Sequence, residues 1–128
     1  MAVSVTNTSI TALNSDQTLT ANAATSSVVD ATEAFTITPT RKGPKIALFF
    51  YNGAGHGAIT YSIAAGDMWA STGAVAGSIA AGAIEVLQLD TAKVMSSSGT
   101  IVVTLTPASG KRLLTDHACG MYVLELLP

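Results

Sequence analysis

The sequence predicts an all-β chain, a single-domain antiparallel β-sandwich of about eight strands, jelly-roll or immunoglobulin-like in its order. Three observations point there. Short apolar stretches recur at short intervals between clusters of Gly, Asn, Asp, Ser and Pro, and none keeps a helical period long enough to make a convincing helix. Thr, Ser and Asn fill the spaces between them, and their short polar side chains compete for backbone hydrogen bonds and disfavour helix. The stretch Lys45 to Tyr51, KIALFFY, is apolar on both of its faces. It must therefore be covered on both sides, or its outer face must meet another chain.

Residues 1–7, in which Val3 and Val5 alternate with Ser4 and Thr6, read as an arm that is either flexible or added to a neighbour's sheet, ahead of a sandwich domain over residues 8–128. From Thr8 to Val29 the chain suits short strands with turns at Asn14-Ser15-Asp16 and Asn22. Glu33 to Pro39 alternates, Phe35 and Ile37 against Thr36 and Thr38, as a half-buried strand stopped by proline. The loop after it carries Arg41 and Lys42, with Lys45 just beyond. It reads either as a solvated turn or as a positive patch for an acidic partner surface.

Ile46 to Tyr51 is the central strand, and Asn52-Gly53-Ala54-Gly55-His56-Gly57 turns the chain with three glycines that permit positive φ and close backbone approach. Ile59, Tyr61 and Ile63 alternate in the returning strand, which predicts a hairpin with the central one. Ala64 to Asp67 turns again before Met68 and Trp69, the only tryptophan. Trp69 is expected either to plug an open end of the core or to anchor a partner. The pentapeptide Ser-Ile-Ala-Ala-Gly occurs at residues 62–66 and again at 78–82. A single echo is too little for a repeat protein and marks two similar strand-end turns. Ala83 to Leu89 and Gly99 to Pro107 are strands joined by an irregular connection, and Met121 to Leu126 ties the carboxyl end into a sheet with Tyr122, Leu124 and Leu126 on one face. Between the last two strands, Leu113 and Leu114 are expected to fold back onto the domain.

Composition narrows the function classes. Only 11% of the residues are charged and the net charge is −2, against about 25% charged in an average soluble domain. With 6 Lys and Arg the chain cannot neutralise many phosphates, so nucleic acid is not an expected partner. The amino terminus lacks the pattern of a secretory signal, and residues 68–84 hold too many Gly, Ser and Thr to insert well, so no membrane is expected either. The single cysteine, Cys119, excludes an internal disulfide and suits a reducing compartment.

No metal, cofactor or catalytic residue is expected. His117 and Cys119 would share a strand face, but no second pair stands at a ligand spacing, and His56 between two glycines reads as an exposed turn residue. The serines lack the setting of an activated nucleophile, and Asp67 with Glu85 is no better an acid pair than any other. A sugar site would need aromatic platforms, yet Phe35, Phe49, Phe50 and Tyr61 are wanted by the core, which leaves Trp69 with Tyr51 or Tyr122.

From Lys45 onward the chain resembles small capsid decoration proteins of tailed bacteriophages and prophages. The resemblance is carried by the strand Ile59 to Ile63 leading into Ala65-Gly66-Asp67, by the turn Ala80 to Gly82 leading into Ile84 to Leu89, and by Ser98 to Val103 before a final strand. It implies a structural protein of the virion surface, made in the host bacterial cytoplasm. Such a protein binds the major capsid protein from outside and cements the shell, as a homo-oligomer such as a trimer. Trp69, Arg41, Lys42 and Lys45 are the candidate contacts. The alternatives are a glycan- or host-surface-binding module and a tail or fibre component.

Overall fold

The structure is a computed structural model that describes residues 2–67 and 74–127. The strands are β1 (Ala2–Ser4), β2 (Asn7–Ser9), β3 (Asn22–Ala23), β4 (Glu33–Ile37), β5 (Ile46–Tyr51), β6 (Ile59–Ile63), β7 (Val75–Ile79), β8 (Ile84–Leu89), β9 (Ile101–Thr106) and β10 (Gly120–Glu125). A short helix α1 (Thr91–Val94) and a π-helical turn at Leu113–His117 interrupt them. The first sheet runs β1-β4-β9-β6-β7, the second β2-β10-β5-β8 with β3 also on β10. The two pack face to face as an open sandwich, so the predicted all-β class holds. Both sheets are mixed, because β1 on β4 and β2 on β10 are parallel.

Alternation decides what the sandwich buries. Phe35 and Ile37 of β4, Ile59 and Ile63 of β6, and Ile101, Val103 and Leu105 of β9 face Ile46, Leu48 and Phe50 of β5 and Met121 and Val123 of β10, all at most 1% exposed. Phe50 stacks on Tyr61 across the layers with ring centroids 4.6 Å apart.

The expected hairpin between β5 and β6 does not form: β5 pairs with β8 and β10, and β6 with β7 and β9. β6 has one apolar stripe and β5 has two, and placing them in opposite sheets buries the stripe of β6 against Ile46, Leu48 and Phe50 of β5. The glycine-rich turn is therefore an arch between layers. Its glycines serve different ends: Gly55 and Gly57 take φ of 95° and 90°, whereas at Gly53 a Cβ would lie 2.4 Å from the carbonyl oxygen of His117.

The opening residues, expected as a flexible arm or one lent to a neighbour, belong to this chain's own sheets. Ala2–Ser4 align with Ala34–Thr36 and Asn7–Ser9 with Val123–Glu125, so the segment crosses from one layer to the other along an open side. Asn22 fills the gap where β2 gives way to β3 along β10. Its Oδ1 accepts from the Thr6 amide at 2.8 Å, and its Nδ2 donates to the carbonyls of Thr6 and Met121.

Both copies of the pentapeptide end a strand. Ile63 and Ile79 enter the core; the second copy then turns at Ala81-Gly82, whereas the first runs on beside α1, where the Gly66 amide donates to the Lys93 carbonyl. Gly66 is needed for close approach, since a Cβ there would lie 2.3 Å from the Met95 carbonyl oxygen. Gly82 takes φ of 74°.

Candidate functional site

The two outer faces of the sandwich differ in character. On the first sheet, the register sets Thr36 beside Val102, Thr104 beside Ser62 and Thr60 beside Thr106 and Ser78, a polar skin of short side chains. On the second sheet the outward positions run in rows across three strands. Gly120, Tyr51 and Ile84 make one row, Tyr122, Phe49 and Val86 the next, and Leu124, Ala47 and Gln88 the third. These positions carry no charged group. The rings of Tyr51 and Tyr122 lie 5.4 Å apart at a 45° tilt, while Ile84 and Val86 are 70% and 62% exposed.

Why this face is apolar follows from β5 itself. Its stretch KIALFFY fills both sets of alternating positions with oily residues, and the fold can turn only one set inward. Ile46, Leu48 and Phe50 go in. Ala47, Phe49 and Tyr51 stay out, so Phe49 is not the core residue that the sequence suggested. β10 repeats the pattern: Met121 and Val123 go in, with the buried Glu125, while Tyr122 and Leu124 face out. Burial and the facing Tyr122 raise the Tyr51 hydroxyl above its ordinary range.

β8 is the edge of this sheet. Glu85 stands opposite Phe50 on the core side of that strand and is nevertheless exposed. An inward-pointing charge on an edge strand discourages another strand from pairing there. The face is thus open to a partner while the edge beside it is guarded.

The expected basic patch is partly consumed within the chain. Arg41 turns its guanidinium onto the last strand, where Nη1 donates to the carbonyls of Glu125 at 2.9 Å and Leu126 at 2.6 Å. The Glu125 carboxylate is 1% exposed and accepts from the amides of Thr40 and Arg41, both at 2.8 Å. Lys42 is exposed at the rim of a cavity of about 380 Å³, which Gly43, Thr91, Met95, Ser96 and Ser97 also line. Lys45 is half-buried, and its backbone bonds Gly43 and Leu126. Trp69 lies outside the described residues.

The groups with chemical potential do not converge. Asp67 follows β6 at the end of the sandwich that holds α1, where its Oδ2 accepts from the Ser97 amide at 2.8 Å. That bond holds the carboxyl below its ordinary range. His56 and His117 lie at the opposite end, and Glu85 is on the other sheet. Glu33, 1% exposed, accepts from the Thr25 amide at 2.7 Å and from the Thr25 hydroxyl. Cys119 is 1% exposed, and burial pushes its thiol up to about 11, away from the thiolate that nucleophilic or metal chemistry needs. Among the described residues no group of three or more His, Cys, Asp and Glu could hold a metal ion, and no helix is long and apolar enough to cross a membrane.

Sequence reasoning missed the outer face as a unit. The signal was present in KIALFFY and in the Ile84-Val86 and Tyr122-Leu124 alternations, but only the register sets these side by side. Comparison with family models, curated proteins and solved structures finds no match for this chain.

Proposed function

We propose that this protein is a structural, non-enzymatic component of a phage virion that docks on the outer surface of the capsid and stabilises the shell. The docking surface in this reading is the outer face of the second sheet. The observation that carries it is the uncharged array around Phe49, Tyr51, Tyr122, Ile84 and Val86, with its two aliphatic members left largely in water. A contiguous apolar patch of this kind marks an interaction surface, since scattered single residues would need no explanation. The other outer face, made of threonine, serine and alanine around the half-buried Val102, is by contrast mostly polar.

Two further features support a binding role over catalysis. The buried carboxylates Glu33 and Glu125 are saturated by neutral donors of the backbone and of threonine, so both are used to hold loops. The low charge of the whole chain weakens repulsion between copies set close together on a repeating surface. On such a shell, many identical modest contacts add through avidity. The capsid as partner rests on the resemblance of Ile59 to Asp67, Ala80 to Leu89 and Ser98 to Val103 to decoration proteins.

The second reading is a glycan-binding module, and one observation favours it: Phe49, Tyr51 and Tyr122 lie on one face as a platform could. A sugar site also needs polar groups beside the rings. Gln88 carries the one side-chain amide among the array positions, and its Nε2 already donates to the Pro44 carbonyl at 2.6 Å. Protein contact therefore fits the face better.

Co-sedimentation with empty phage shells, expanded and unexpanded, tests the proposal. Saturable binding at a fixed ratio to shell subunits is expected. Glycan binding with no affinity for shells would reverse the ranking.

A further inference from the structure

His117 is completely buried at the end of the sandwich where three connections meet: the β5–β6 arch, the β7–β8 turn and residues 107–119. Both of its ring nitrogens are committed. Nε2 lies 3.1 Å from the amide nitrogen of Ala108, which can only donate, so Nε2 is bare and accepts. The ring proton therefore sits on Nδ1, 3.1 Å from Oδ1 of Asn52. The same Asn52 side chain sends its Nδ2 hydrogens to the carbonyls of Gly57 and Ile79, both at 3.0 Å. The His117 carbonyl accepts from the Gly53 amide at 2.7 Å, and the Gly53 carbonyl accepts from the Gly82 amide at 3.2 Å. The neutral imidazole thus ties its own loop to Asn52 of the arch, and the Asn52 side chain and Gly53 backbone carry that link on to the end of β7 and the β7–β8 turn.

We propose that this constellation is an acid-sensitive latch, in which protonation of His117 releases the three connections at this end while the β-strands stay paired. A proton on Nε2 would face the hydrogen of the Ala108 amide, turning an accepted bond into a clash of two donors. Because the ring is out of water, the imidazolium would also lack solvation.

The groups around the ring sharpen the response. His56, from the arch, and Lys111, from the ring's own loop, oppose a further positive charge. Asp116 favours it, but also faces Arg112 across 3.9 Å. Burial first and His56 second keep the imidazole below its ordinary value. The direction follows from linkage. The closed form takes up its proton at lower pH than the open form, so the open form binds more protons as pH falls below about 6.5. Closure is complete above that value and is lost on the way down to the lowered one.

Amide hydrogen exchange on the intact protein between pH 7.5 and 5, expressed as protection factors to remove the intrinsic rate, tests the latch. Protection at Ala108, Gly53 and Gly82 is expected to fall by up to about tenfold per pH unit below about 6.5, while amides of β4 and β9 hold theirs. Ring nitrogen shifts at pH 7.5 are expected to show the proton on Nδ1 of His117. The variant His117→Gln offers a donor and an acceptor without titrating, and its connections should lose the acid response; His56→Gln should keep it. Flat protection at the three amides, a ring proton on Nε2, or a response that survives His117→Gln and disappears in His56→Gln would overturn the proposal. Should His117→Gln fail to fold, the wild-type tautomer and protection profile decide the matter alone.

Discussion

Replacing Ile84 and Val86 together by threonine separates a docking face from an ordinary sheet surface. Both variants keep the branched Cβ that suits a strand, so the edge strand β8 retains its preference. Full burial of an aliphatic side chain of this size contributes about 1.5–3 kcal/mol. With 70% and 62% of the two residues still in water, a covering partner would gain about 1–2 kcal/mol from each. A hydroxyl trapped in a dry contact costs a similar amount. Threonine keeps one methyl at each site, so the apolar loss and the hydroxyl cost together come to about 2–4 kcal/mol for the pair, which weakens docking by roughly 30- to 700-fold at 1.4 kcal/mol per factor of ten. The isolated protein has almost nothing to lose at these positions, and its urea stability should change by less than about 0.5 kcal/mol per site. Sedimentation titrations against empty shells and urea unfolding of the free protein read the two quantities. Shell binding unchanged in the double variant would refute the assignment of this face. So would a loss of more than about 2 kcal/mol in the free protein, because it would show that the chain itself already uses these side chains.

Three other outcomes follow from the packing. Gly53→Ala puts a Cβ within 2.4 Å of the His117 carbonyl oxygen, so the arch must shift; calorimetry should show a loss of about 1–3 kcal/mol and a melting temperature several degrees lower. Glu125→Ala strips the acceptor from the Thr40 and Arg41 amides at a site 1% exposed, at about 1–3 kcal/mol for each donor left buried and unpaired, and Glu125→Gln, which keeps one acceptor oxygen, should lose less by urea titration. Cys119 should resist iodoacetamide at pH 8 until the protein is unfolded; since its folded thiol is raised, the stability it contributes is present below the ordinary value and is lost as pH climbs toward about 11. Rapid alkylation of the native protein would contradict the burial of Cys119.

The strands themselves were readable in advance, since β4, β5, β6, β8, β9 and β10 fall on stretches whose alternation or apolar run leaves little choice. The pairing was not. Ile46 to Tyr51 and Ile59 to Ile63 are neighbours in sequence with complementary stripes, which suits a hairpin and an arch equally well, and the choice shows only in contacts such as the stack of Phe50 on Tyr61 across the layers. His117 shows the same limit. Nothing near it in sequence says that Ala108 and Asn52 will meet its two nitrogens, because Asn52 lies 65 residues away.

Fold class and the shortage of charge follow from local composition and periodicity alone, because both are sums along the chain. The sequence also required that a strand oily on both sides find cover on both. Which side of β5 the core takes, and the alignment of β8 and β10 beside it with oily residues outward, emerge only when the sheet assembles. Register is set by contacts distant along the chain, so the face that remains uncovered exists only once the sheet is assembled.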